Sequence, residues 1–285
     1  MKVGAVYPQI ELGGDPAAVR RFALAVEQLG FDHLSAYDHV LGASHDDRQP
    51  ELTGPYTERD PFHDPLTMFA YVAGLTQRIG LVSSVLVLPQ RQTALVARQA
   101  ADVDLFSGGR LRLGIGTGWN HVEYEALGVP FDGRGDRLAE QVEVLRRLWS
   151  EPLIDYTGEF HRIDRAALVP RPSSPIPIWM GGFGRRPMAR AARTADGFIF
   201  AGSKVVLDQL TSTQESVRQA GRDLSSFGTE LCFNAPTPED VAARLVEWEA
   251  AGGTHAAIVT MYHGFDSVDA HLDFLARARE LWTNR

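Results

Sequence analysis

Short apolar runs and amphipathic stretches alternate along this 285-residue chain from end to end. Residues 3–7, 33–37, 79–88, 111–115, 176–180, 197–201, 230–233 and 256–261 form eight apolar runs bounded by turn residues, each read as a strand. Between them, residues 16–29, 66–75, 94–106, 136–149, 188–194, 238–251 and 269–282 repeat apolar positions at helical spacing. In the 136–149 stretch, Leu138, Val142, Leu145 and Trp149 mark one face and Asp136 is placed to cap it. Regular βα alternation predicts a parallel sheet with both faces covered, and a count of eight favours an α/β fold of the closed (β/α)8 TIM-barrel type. No internal repeat, low-complexity tract or linker divides the sequence, so one domain over 1–285 is expected.

Three segments interrupt the pattern. Residues 40–64 are polar and turn-rich and follow directly on the second strand, at the end where barrels build their active sites. A connection of that length in a compact domain is usually a lid or binding loop. Residues 120–135 follow the fourth strand and are placed to cover the same mouth. Residues 152–175 are irregular, with a small hairpin expected around 156–163.

Composition narrows the classes of function. The formal net charge of −8 argues against a general nucleic-acid binder, which would carry a basic patch. No run of about 20 apolar residues exists, so no membrane partner or span is expected. Cys232 is the sole cysteine and the N-terminus lacks an export pattern, so a reducing cytoplasm is the expected compartment. No HxH closes the first strand, no HExxH or CxxC occurs, and no GxSxG nucleophile turn is present. A metal site is therefore not expected, and a metal-dependent barrel hydrolase is disfavoured. The histidines and acids at 45–47 and 63–64 read most simply as solvated loop residues.

In a barrel, the residues just past each strand gather at one face. Here they are Tyr7 and Pro8, Asp38 and His39, Ser83 to Val85, Gly116 to Trp119, Trp179 to Phe183, Ala201 to Ser203, and Tyr262 with His263. The set is rich in glycine and aromatics and poor in charge, which suits a planar, partly apolar ring system rather than a polyanion. Tyr7, Trp119, Trp179 and Tyr262 would supply the aromatic walls of a substrate pocket. Asp38–His39 reads either as an acid–base pair or as a capping Asp beside a loop-bonded His. Gly182, Phe183 and Gly184, with Arg185 next, sit in a glycine-rich turn before a helix, either a phosphate site or an ordinary βα turn. At 114–118, glycines alternate along the end of a strand, where bare backbone would let a flat ligand approach.

The run LFSGGRLRLGIGTGW at 105–119, followed by EYEALGVPF and a helix ending in LRRLW, resembles the luciferase-like monooxygenase superfamily, and its coenzyme F420-dependent oxidoreductase branch in particular. The resemblance extends over nearly the full length. It implies a 5-deazaflavin across the barrel mouth and hydride exchange with a substrate stacked on its face, with His39 as proton carrier and Asp38 as a cofactor contact. It also implies a non-proline cis peptide at Ser84–Val85 that props the ring from behind. Gly116, Thr117 and Gly118 would lie along the ring, and Gly182, Phe183, Gly184 and Arg185 would receive the cofactor phosphate. Where the family's sugar-phosphate dehydrogenases carry a catalytic glutamate after the GTG turn, this chain has Trp119, which points to an apolar or aromatic small-molecule substrate. The same fold with FMN, O2 and a partner flavin reductase is the competing reading, and a catalytically silent flavin-binding protein is another. The resemblance further implies a homodimer and an F420 reductase as a possible partner.

Overall fold

The computed structural model describes residues 1–202 and 206–284, so Ser203 of the strand-end set lies outside the described residues. The chain runs β1 (Lys2–Val6), α1 (Gln9–Leu12), α2 (Pro16–Gln28), β2 (His33–Ala36), α3 (Pro65–Ala73), β3 (Gly80–Ser83) and β4 (Leu86–Val87). It continues through α4 (Thr93–Ser107), β5 (Leu111–Gly116), α5 (His121–Ala126) and α6 (Arg134–Ser150). A hairpin of β6 (Ile154–Thr157) and β7 (Arg162–Ala166) follows. The last part comprises β8 (Ile178–Gly181), α7 (Arg185–Thr194), β9 (Gly197–Ala201), α8 (Val206–Gln219), β10 (Gly228–Phe233), α9 (Pro238–Ala250), β11 (His255–Ile258) and α10 (Val268–Thr283).

Nine strands form one parallel sheet in the order β3-β2-β1-β11-β10-β9-β8-β5-β4, and a further β3–β5 pairing closes it. Leu81 pairs with Leu111 at the closure and Lys2 with His255 at the β1–β11 seam. Because β3 and β4 are two pieces of one barrel strand, the molecule is a closed eight-stranded parallel barrel wrapped by helices, the (β/α)8 architecture that the alternation predicts. Helices α2, α3, α9 and α10 start at capping side chains: Asp15, Asp64, Thr237 and Ser267 each accept a first-turn N–H. Helix α6 departs from expectation. Its N-cap is Gly133, in the left-handed region at φ 71°, and Asp136 sits inside the first turn, where its charge faces the positive end of the helix dipole. No helix among the described residues is long and apolar enough to cross a membrane.

The apolar mass divides in two. Strand residues facing outward pack with the helices, as Val3, Leu34, Leu81, Leu113 and Ile178 do. A smaller cluster of Val6, Trp179, Ile199, Cys232, Ala257, Val259 and Met261 fills the barrel itself. Below it, at the N-terminal ends of the strands, the barrel is floored by charge. The buried Glu230 carboxylate lies 2.5 Å from His33 Nε2 and 2.6 Å from Arg112 Nη2. The Arg112 guanidinium in turn lies 4.1 Å over the Trp179 ring, whose centroid is 4.9 Å from that of His255. Burial would raise the Glu230 carboxyl, but Arg112 and His33 outweigh it and bring it down to about 2. Burial first, and then Arg112, push the His255 imidazole down to about 3.

Both floor groups make the fold sensitive to acid, in overlapping windows. The unfolded chain protonates His255 near 6.5 and the folded chain only near 3, so stability falls as pH drops between those values. Glu230 stabilises the fold above about 4.5, and that contribution is lost as pH falls towards 2. Unfolding free energy should therefore decline from pH 6.5 downwards. His255→Asn should flatten the decline between pH 6.5 and 4.5 by up to about 1.4 kcal/mol per pH unit, read by urea unfolding at a series of pH values. An unchanged slope would remove His255 from the account.

Candidate active site

The third barrel strand contains one residue more than its neighbour. From Val82 to Leu86 it advances four positions while β5 advances three, from Arg112 to Ile115. The excess is taken up at Ser84–Val85, a non-proline cis peptide, as the resemblance implies. An extra residue bends a strand and re-aims its side chains, and here Val85 is brought into the barrel mouth. A Cβ on Gly116 would lie 2.5 Å from Val85 Cγ2, and one on Gly181 would lie 2.7 Å from Val85 Cγ1. A Cβ on Gly114 would meet the Ser83 carbonyl oxygen at 2.0 Å. The bulge thus takes up the space that side chains at these positions would need, while the backbone of Gly116 and Gly181 still lines the cavity above it.

Above the bulge opens a cavity of about 470 Å³. Val85, Gly116, Thr117, Gly118, Gly181 and Ile199 form its wall, Tyr37, Asp38 and His39 one side, and Gly182, Phe183 and Pro187 the rim. Pro55 and Tyr56 cover it from the 40–64 segment. A second lobe of about 330 Å³ shares Tyr37, Tyr56, Ala201 and Cys232 with the first and extends to Phe233, Met261 and Tyr262. Ser84 Oγ lies 3.2 Å from the buried Cys232 Sγ, whose thiol is pushed far up by burial.

The Asp38–His39 pair divides its work. Asp38 is buried, and both carboxylate oxygens are taken: Oδ2 accepts the Val87 N–H at 2.8 Å and Oδ1 the Arg91 Nη2 at 2.6 Å. Arg91 also donates to Asp64 at 2.8 Å. Burial lowers the Arg91 guanidinium, but the two carboxylates outweigh it and hold it above its ordinary value. Asp38 therefore ties the end of β2 to the bulge. His39 instead presents its ring to the cavity, edge-on to Tyr56, Phe62 and Trp119 with centroids 5.3, 4.9 and 5.4 Å away. Its Nδ1 lies 3.1 Å from Oε2 of the buried Glu123.

Glu123 belongs to α5, a short helix inside the 120–135 segment, capped by the Asn120 side chain. Its Oε1 accepts the Val40 and Leu41 N–H groups at 2.6 and 3.1 Å, and Asn120 Nδ2 donates to the Leu41 carbonyl at 3.3 Å. Tyr124 Oη donates to the Thr117 carbonyl at 2.7 Å, fixing α5 to the end of β5. Glu123 was not singled out in the sequence, although it lies within the EYEALG run. A lone acid in a polar segment carries no periodic signal, and only the fold brings it to His39.

Other residues fall elsewhere than the sequence places them. Tyr7 is fully buried and turned against Phe22 of α2, with centroids 5.5 Å apart, so it lines neither lobe. Trp179 packs into the barrel interior against Arg112 and His255, below the mouth. Neither forms a substrate wall here, because side chains alternate across a strand and these two face the helix layer and the floor. Trp119 and Tyr262 do reach the lobes, Tyr262 being 59% exposed with a positive φ of 69°. Gly182 and Phe183 line the cavity, while Gly184, the N-cap of α7, and Arg185 lie outside its lining. His45 and Asp64 are not merely solvated: His45 Nε2 bonds the Tyr56 carbonyl at 3.0 Å, and Asp64 caps α3 while pairing with Arg91. Among the described residues no group of three or more His, Cys, Asp or Glu side chains is arranged to hold a metal.

Comparison with known proteins gives this geometry a setting. The sequence profile of a family described as luciferase-like monooxygenase matches residues 3–283. An uncharacterised protein of Mycobacterium tuberculosis is 32% identical over 210 residues, covering 72% of this chain and 73% of its own. The pyrimidine monooxygenase RutA of Escherichia coli is 34% identical over 199 residues, and the match covers 65% of this chain and only 53% of RutA. Among solved structures, an F420-dependent secondary alcohol dehydrogenase in complex with an F420–acetone adduct superposes with a TM-score of 0.81 at 16% identity, covering 99% of this chain and 98% of that one. The monooxygenase RslO1 from Streptomyces bottropensis superposes with a TM-score of 0.78 at 20% identity, covering 100% and 98%. At these identities the structural likeness concerns the fold.

The packing of Val85 between glycines is open to a direct test. Gly116→Ala should destabilise the protein by about 1–3 kcal/mol through overpacking. Adding Val85→Ala should recover part of that loss, since the added methyl then meets no branched side chain. Denaturant unfolding of the two single variants and the double variant measures the coupling. Strict additivity would contradict the contact.

Proposed function

The chain belongs to the luciferase-like monooxygenase family of oxidoreductases, and from that premise we propose that its cavity binds a deazaflavin or flavin and serves hydride exchange with an apolar or aromatic small molecule. Coenzyme F420 is the cofactor we put first. The observation that carries the reading is the shape of the larger lobe. It is a slot with the Val85 bulge as its wall, and His39 is the only histidine among its lining residues. The fit extends to chemistry. The lining is largely apolar and suits a fused ring system. At the rim, Gly182, Phe183 and Gly184 lead into the first turn of α7, where Arg185 and Arg186 stand and no acid does. Unpaired N–H groups at a helix start, with the positive end of its dipole, favour a phosphate.

In this reading Val85, Gly116, Thr117 and Gly118 hold the ring, with Ser84 beside them, and Gly182 to Arg185 hold the phosphate. When bound, the cofactor supplies the hydride chemistry. His39 carries the accompanying proton, since an imidazole can give and take one near neutral pH. Asp38 acts by keeping the end of β2 on the bulge. Pro55 and Tyr56 exclude water from above, and the second lobe, with Phe233, Met261 and Tyr262, receives the substrate.

A second reading has its own support. The relatedness to a pyrimidine monooxygenase at 34% identity favours FMN chemistry with O2 and a flavin reductase partner. Parallel titrations of the purified protein with F420 and FMN, followed by fluorescence quenching, separate the two. The first reading expects micromolar or tighter binding of F420 over FMN, whereas preference for FMN transfers the protein to the second. Binding of neither would refute both. His39→Ala should retain cofactor binding and lose turnover by about 100-fold or more, the usual scale of a proton-transfer group. Undiminished turnover would remove His39 from the mechanism.

A further inference from the structure

His39 is held at one ring nitrogen only. Nδ1 faces Glu123 Oε2 at 3.1 Å, while Nε2 makes no hydrogen bond to any described residue. The Glu123 side chain is 2% exposed, and no Arg or Lys among the described residues pairs with it. Its partners are the His39 ring and the Val40 and Leu41 N–H groups, all three on the stretch that follows β2. A carboxylate accepts hydrogen bonds and does not donate them, so the hydrogen between the two groups sits on Nδ1. The lone pair of the neutral ring is then on Nε2, and the edges of Tyr56, Phe62 and Trp119 fix the ring plane around it.

We propose that Glu123 is a positioning residue that holds His39 as the Nδ1–H tautomer, leaves Nε2 as the proton acceptor at the cavity, and balances the imidazolium once Nε2 is protonated. The inference rests on the reading of His39 as proton carrier. The step it describes moves one proton, from substrate or solvent water onto the Nε2 lone pair and back. Glu123 keeps its negative charge throughout, and no heavy-atom bond changes. Other groups around the ring leave this assignment to Glu123. Tyr56 is a phenol pushed far above its ordinary range by burial. The Asp38 carboxylate is occupied by Arg91 and the Val87 N–H. Phe62 and Trp119 do not titrate.

Glutamine at 123 is the informative change. Its amide oxygen still accepts from Val40 and Leu41, but its NH2 then faces Nδ1 and demands a lone pair there. Nitrogen-15 NMR of the histidine-labelled full chain, without cofactor, reads tautomer and titration directly. The resonance is assigned among the nine histidines by comparison with His39→Gln. The wild type should show the Nδ1–H tautomer. Glu123→Gln should invert it and lower the His39 titration midpoint by about one pH unit or more. The acid limb of the kcat pH profile should move by the same amount, with cofactor affinity unchanged. An Nε2–H tautomer in the wild type overturns the proposal even if the variant fails to fold. So does an unchanged midpoint in a variant whose other histidines keep their wild-type shifts. Because tautomer and midpoint are read without cofactor, failure of F420 and FMN to bind would leave that result standing, and the reverse also holds.

Discussion

One surplus residue in the third barrel strand is the constraint on which the mouth of this protein depends. Four positions from Val82 to Leu86 run against three on β5, and the excess brings Val85 into the barrel. Backbone and side chain of the bulge occupy the space that Cβ atoms at 114, 116 and 181 would need, so glycine at those places is a packing requirement. The same excursion leaves the Val87 N–H facing Asp38, whose carboxylate also takes Arg91, which reaches on to Asp64 at the start of α3. A shift in one strand is thereby passed to the end of the next strand and to the closing edge of the 40–64 segment.

The two ends of the barrel carry charge for different purposes. At the floor, the two oxygens of the Glu230 carboxylate take His33 Nε2 and Arg112 Nη2, and the Arg112 guanidinium lies over the Trp179 ring. Breaking a buried pair by removing one partner is costly, about 3–5 kcal/mol, which marks this layer as structural. At the mouth, charge is sparse and indirect. The Asp38 carboxylate is turned into protein, and Glu123 reaches the cavity only through His39. What faces the larger lobe is mostly apolar wall, aromatic edge and one imidazole, while Asn234 and Arg244 line the second. That distribution suits a bound group bringing its own redox chemistry and asking the protein for orientation, dryness and a proton.

Much of the architecture was legible because a (β/α)8 barrel writes itself as repeated alternation, and each of the eight apolar runs overlaps a barrel strand. The 79–88 run proved to be β3 and β4 with the bulge between, since hydrophobicity does not report a change of register. The glycines at 114 and 116 were visible, but their reason was not. A glycine looks the same whether it admits a ligand or a neighbouring valine. Strand-end position brought Asp38, His39, Trp119 and Tyr262 to the mouth and misplaced Tyr7 and Trp179, because one step along a strand exchanges inside for outside. Glu123 lies 84 positions from His39, and no local pattern joins them.

The most direct test of the account is a crystal structure of the protein with the oxidised cofactor that the titration selects. The account predicts ring density against Val85 and Gly116, in contact with His39, and phosphate density at the turn from Gly182 into α7. A ring lodged elsewhere, or a phosphate held away from that turn, would contradict it.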